Sequence, residues 1–212
     1  MQRLLLLTIL VLASTSAFAY QLLHVGKVDS RHWNDVWNNF SDYSLNIYAG
    51  GDPDGTERAI VIIIENAFGD DYRKNFKVKK CSERQIKKNK CASNGYTINE
   101  DFRNLVYILD KSIKWSKIAR ENKVESVSKS IVDDRGRTFY SPFRGGDVRF
   151  YASNSGNQTD LILPVYFKLS EATDRYYDLE AQENFYRLLT EEVTKTIDKS
   201  KGESTKVDEL FK

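Results

Sequence analysis

The sequence predicts an α+β fold, a mainly antiparallel sheet with two or three packed helices, and three observations predict it. Strand-forming segments come in blocks instead of regular β-α-β alternation, which argues against a parallel sheet. Two long segments, Glu100 to Asn122 and Leu179 to Ile197, carry apolar stripes at helical spacing. Turn-forming stretches such as Gly50-Gly51-Asp52-Pro53-Asp54-Gly55 and Asn154-Ser155-Gly156-Asn157 separate apolar runs at hairpin distances.

Taken in order, the chain opens with Arg3, an apolar run from Leu4 to Leu12, and small residues ending in Ala17-Phe18-Ala19. A charged start, an apolar segment too short to span a bilayer and an A-x-A cleavage site read as a secretory signal peptide over residues 1–19. The mature protein is then expected to begin at Tyr20 and to be exported, periplasmic or secreted. Residues 20–198 are expected to form a single α+β domain and residues 199–212 a flexible C-terminal tail. No later apolar stretch reaches the ~18 residues a spanning helix needs.

Leu22 to Val28 reads as a short strand and Ser30 to Phe40 as a helix. Asp29 or Ser30 can cap that helix, and Trp33, Val36, Trp37 and Phe40 recur at i, i+3, i+4 and i+7. Strands follow at Tyr43 to Ala49 and Ala59 to Glu65. The continuous run from Ile60 to Ile64 implies a strand covered on both faces, in the middle of a sheet. Short strands at Phe76 to Lys80 and Tyr96 to Asn99 flank a cysteine loop. The long helix from Glu100 has Asn99 as its cap, acids in its first turn, and Phe102, Leu105, Val106, Leu109 and Ile113 as its stripe, with Trp115 and Ile118 beside it. Strands are expected again at 130–133, 138–141, 147–152 and 160–169, with Pro164 marking an edge or a bulge. The last helix turns Phe185, Leu188, Leu189 and Val193 inward.

Cys81 and Cys91 are the only cysteines. In an oxidising compartment an even pair this close is read as a local disulfide, and without C-x-x-C spacing or a nearby histidine it is not a metal site. The full chain carries a net charge of +2, yet Arg73 to Lys90 holds nine basic residues against one acid, Glu83. The mature remainder must therefore be acidic, and the contrast amounts to an electrostatic field over one stretch of surface.

The chemistry-bearing residues are few. His24 and His32 are the only histidines, neither sits in a catalytic motif, and no nucleophile elbow, zincin, P-loop or dinucleotide fingerprint is present in the mature chain. Gly51 to Glu57 resembles the middle of a calcium loop, but Gly50 stands where the first aspartate should be and Val61 where the bidentate glutamate should be, so it reads as a hairpin turn. Glu65, Asp70 and Asp71 place carboxylates near a strand end, where a hydrolase could use them. Arg144 to Tyr151 lacks the aromatics an RNA-binding strand needs, so nucleic acid is not an expected partner. The aromatics Phe139, Tyr140, Phe143, Phe150 and Tyr151 read as sheet packing. Asn39 and Asn157 lie in glycosylation sequons.

The function expected from these features is non-enzymatic. Lys79, Lys80, Arg84, Lys87, Lys88 and Lys90, held on a loop by Cys81 and Cys91, would contact an anionic partner such as an acidic protein surface, a lipid head group or an anionic polysaccharide. No cofactor and no metal are expected. The alternative is a small exported hydrolase using carboxylates near the end of the central strand. A third reading is a structural or inhibitory domain whose charge run is solvated surface.

Overall fold

The computed structural model describes residues 21–34, 38–52, 54–65, 71–167 and 172–200. Among these residues eight strands form one antiparallel sheet: β1 (Leu23–Asn34), β2 (Asn39–Gly51), β3 (Glu57–Ile64), β4 (Tyr72–Lys79), β5 (Ser126–Ser130), β6 (Arg149–Ser153), β7 (Gln158–Tyr166) and β8 (Ala172–Asp178). Their order across the sheet is β4-β3-β2-β1-β8-β7-β6-β5. Among the described residues three helices accompany them: α1 (Glu83–Lys87), α2 (Glu100–Glu121) and α3 (Leu179–Arg187). The last runs on through a widened π turn, Leu188–Glu192, into further helix over 193–200. The expected signal peptide and Tyr20 lie outside the described residues, as does the expected tail beyond Ser200.

The expected α+β class is overturned by this architecture. The structure is 45% strand and 30% helix, a single sheet with one long helix. The main reason lies at residues 30–40, where a helix was expected and a hairpin forms. β1 pairs with β2 from Leu23↔Ala49 to Asn34↔Asn39. Trp33 and Phe40 face each other across it with ring centroids 5.1 Å apart, while Val36 and Trp37 lie outside the described residues. A short isolated helix is marginal in water, and a strand with a partner next to it in sequence satisfies the same backbone groups. β8 is a second departure, since no strand was expected over 172–178. Between residues 131 and 148 the expected strands reduce to isolated bridges, Val132↔Thr138 and Tyr140↔Asp147.

Each half of the sheet is four strands joined as consecutive hairpins; the first is followed by α1 and the long helix α2, the second by α3. On the face under the helices Val28, Leu45, Ile47, Ile62, Leu161 and Leu163 share a core with Leu105, Ile108 and Leu109 of α2 and with Phe185. Burying them is the dominant stabilising term. The π turn sets both Leu188 and Leu189 inward, and Gly26 makes room: a Cβ there would sit 2.8 Å from a Leu188 methyl carbon. β3 lies one strand in from the edge, not at the middle. Even so, Ala59 and Val61 on its far face are each only 2% exposed, so the continuous apolar run does mark a strand covered on both faces.

The helix ends follow their sequence signals. Asn99 Oδ1 accepts from Phe102 N at 3.0 Å, and Asp178 Oδ1 accepts from Ala181 N at 2.9 Å. Ile118 points away from the core and is exposed, whereas Trp115 packs edge-on against Phe150. Pro164 is on an interior strand, against expectation. The pairing of β6 with β7 stops at Ile162, however, so beyond that point Pro164 has β8 on one side and the turn at Arg144 and Gly145 on the other.

The 154–157 hairpin turn forms as expected, with Asn154, Ser155 and Gly156 all at positive φ. At Gly156 (φ +74°) a Cβ would lie 2.2 Å from the Ala119 carbonyl oxygen, where the turn meets the end of α2. Gly156→Ala is expected to destabilise the fold by about 2 kcal/mol or more. Gly136→Ala has the same left-handed backbone (φ +77°) with nothing within 4 Å, and should cost only about 1 kcal/mol. Equilibrium urea unfolding of the two variants separates the close approach from the backbone preference.

Candidate binding surfaces

β4 is an edge strand, and its side chains alternate between two environments. Phe76 is buried in the core, and Lys74 pairs with Asp101 at the start of α2 at 2.5 Å. Arg73, Asn75, Lys77 and Lys79 stand exposed on the other face. Past Lys79 the chain enters the cysteine loop, and the disulfide between Cys81 and Cys91 is formed. Inside it, Ser82 and Gln85 form a capping box that starts α1, with Ser82 N donating to Gln85 Oε1 at 2.9 Å.

Four contacts hold this loop to the body. Lys80 bridges Tyr96 and Cys91 bridges Thr97. Tyr96, 7% exposed, donates its hydroxyl proton to the Gly55 carbonyl at 2.6 Å. The Arg58 guanidinium lies over the Tyr96 ring, 4.0 Å from its centroid. The loop is therefore a fixed knuckle at the end of the edge strand.

The structure brings the six expected binding residues to one end of the sheet, but not all in the same state. Lys79 is 2.7 Å from Glu57, and the hydrogen bond to that carboxylate raises its pKa. Lys80, Arg84, Lys87, Lys88 and Lys90 are exposed and have no ion pair among the described residues. The sequence reading left two features out of this surface. Arg73 and Lys77 extend the cationic row along β4, which the alternation of the strand could have revealed. Ile86, 57% exposed, stands on α1 among the lysines, and no sequence signal marks it as unburied.

Of the carboxylates considered for hydrolysis, Glu65 and Asp71 border different hollows. Glu65 borders a cleft of about 630 Å³ that also takes in Lys27, Asp29, Arg31, Asp42 and Asp178, where β1 and β8 diverge. Its carboxylate accepts from Ser44 Oγ at 2.6 Å and Asn46 Nδ2 at 3.0 Å. Asp71 borders a different hollow with Tyr72 and Arg144, and Asp70 lies outside the described residues. In the calcium-like turn, Asp52 accepts from Thr56 Oγ1 and Glu57 N, and Asp54 from Thr56 N, so the turn uses its own acids. His32 Nδ1 is 3.2 Å from the Asp174 carbonyl, and His24 packs edge-on against Tyr48. The aromatics Phe143 and Phe150 are core, as expected, but Tyr140 is 71% exposed.

Asp160, beside that cleft, is 1% exposed and pairs with Arg31 at 2.6 Å. Burial outweighs the arginine, and the pKa is raised from its ordinary 3.8. The fold thus holds this proton more tightly than the unfolded chain does. Its contribution favours folding below about pH 4 and is lost as pH rises through the folded-state value. Asp160→Asn should therefore gain stability relative to the parent protein between about pH 4 and pH 7, read from urea unfolding at each pH. A relative loss over that range would mean that the Arg31 attraction outweighs burial.

The disulfide closes a loop of ten residues' separation. Replacing both cysteines by serine should lower the unfolding free energy by about 2.5–3 kcal/mol in the chain-entropy model, measured by the same unfolding experiment with and without reductant.

No protein-family model matches the chain, and neither a curated protein nor a solved structure matches it, so function has to be argued from these surfaces themselves.

Proposed function

We propose that the chain is an exported, non-enzymatic binding protein whose cationic knuckle and edge strand take an anionic partner. The observation that carries this reading is the state of Lys80, Arg84, Lys87, Lys88 and Lys90: five exposed cations with no ion pair among the described residues, at a loop tied down by a disulfide and by Tyr96. Like charges repel, so concentrating them costs the isolated protein stability that an anionic partner restores. The crosslink and the Tyr96 anchor lower the entropy lost on docking. Arg73 and Lys77 on β4 lengthen the surface into a row, which suits a partner whose charge is spread over a distance, such as an anionic polysaccharide, a lipid surface or an acidic protein face.

Reversing Lys80, Lys87, Lys88 and Lys90 to Glu tests the reading and separates the partners. Parent and variant are compared on a sulfated polysaccharide column, on vesicles of an anionic phospholipid and on an acidic protein, each over a series of salt concentrations. Exposed contacts of this kind contribute ~0.2–1 kcal/mol each, so reversal of four should lower affinity for the true partner by at least about tenfold with an unchanged melting temperature. Parent binding should weaken as salt shortens the screening length below about 8 Å. Equal retention of parent and variant on all three arms would leave the knuckle as ordinary solvated surface.

A further inference from the structure

A second surface lies under the same loop, on the helix-facing side of β3 and β4. We propose that it is a binding groove for an anionic amphiphile with a straight aliphatic tail, such as a long-chain carboxylate, with Arg58 receiving the head group. The groove encloses about 420 Å³, a volume in the range of ligand pockets. Its accessible apolar walls are Val78 of β4 and Phe102 and Val106 of α2, with Ile60, Phe76, Leu189 and Val193 buried behind them. Surfaces of this kind take aliphatic chain in preference to water.

The charge at its rim selects the head group. Two arginines border the groove, and Arg103 is already paired with Glu100. Arg58 has no carboxylate partner among the described residues, and its Nε is buried without a hydrogen bond. Its guanidinium carbon lies 4.0 Å from the centroid of the Tyr96 ring, which the bond to Gly55 fixes in place. A cation so placed, partly desolvated and unneutralised, gains most from an anion that brings its own apolar body into the groove. A neutral alcohol would leave the guanidinium unpaired, and a cationic amphiphile would be repelled. The assignment does not rest on the knuckle lysines, none of which borders the groove.

The test uses the full chain and calorimetric titration with dodecanoate, decanoate, dodecanol and dodecyltrimethylammonium, each below its aggregation concentration. Dodecanoate should bind saturably at one site per chain. Shortening the tail should weaken binding by roughly fourfold per methylene. Arg58→Met keeps the aliphatic stem and should weaken dodecanoate by about tenfold or more while leaving dodecanol unchanged. Thr194 borders the groove from an exposed position, so Thr194→Trp should block both ligands without altering the unfolding curve. Lys87→Glu with Lys88→Glu should leave dodecanoate binding intact, which keeps this inference separate from the knuckle. The proposal is overturned by absence of saturable binding, by equal binding of dodecyltrimethylammonium, or by indifference to both Arg58→Met and Thr194→Trp. A dimer that dodecanoate does not dissociate would also overturn it, because a second copy would then cover the groove.

Discussion

The two four-stranded halves meet at one seam, β1 against β8, where Arg31↔Tyr176 is the one paired position among the described residues. A sheet joined by so short a ladder depends on side chains to hold it. Arg31 reaches Asp160 on β7 at 2.6 Å and lies over the Phe40 ring, which in turn packs on Tyr176. On the helix-facing side Arg175 of β8 crosses to the Glu65 carbonyl at 2.8 Å, stacked against Tyr43 at 4.2 Å. Arg175 is 1% exposed, and burial lowers its pKa. A buried arginine held by a carbonyl and two aromatic faces gives up hydration for position. It fixes the end of β3 relative to β8, two strands that the sheet itself does not join. The divergence of β1 and β8 beyond this stitch opens the cleft beside Glu65, and it lets the chain leave β8 at Asp178 directly into α3.

Much of this was legible in the sequence where the signal is local. The cap at Asn99, the apolar stripe of α2, the 154–157 turn and the disulfide each depend on residues close together in the chain, and each formed as expected. The signal fails where a non-local partner decides. Trp33 and Phe40 fit a helical period equally well, and only the register with β2 makes them a cross-strand pair. β8 reads as polar because Asp174 and Arg175 interrupt it, yet Arg175 is core. Its hydropathy says loop, while its environment of Tyr43, Phe167 and a carbonyl oxygen makes burial tolerable.

The same division applies to the sites. A charge run is a property of consecutive residues, so the knuckle could be found without a structure. What the sequence could not say is that Lys79 is spent on Glu57 while Lys80, Arg84, Lys87, Lys88 and Lys90 have no ion pair among the described residues. The groove was invisible, because Arg58, Tyr96, Val106 and Val193 come from four separated stretches and each alone reads as ordinary core or boundary.

Edge protection accounts for part of the charge run without any partner. An unpaired strand edge invites association with other chains, and proteins blunt such edges with lysine. Arg73, Lys77 and Lys79 on β4 serve that purpose whatever else they do, and Lys79 also contributes a pair to its neighbouring strand. The same explanation does not reach past Cys81. Arg84, Lys87 and Lys88 sit in or beside α1, away from the ladder, on a loop whose backbone is already occupied by its helix and by the bridges to Tyr96 and Thr97. No strand edge remains there to protect, so the proposed anionic partner rests on the charge inside the disulfide more than on the charge along β4.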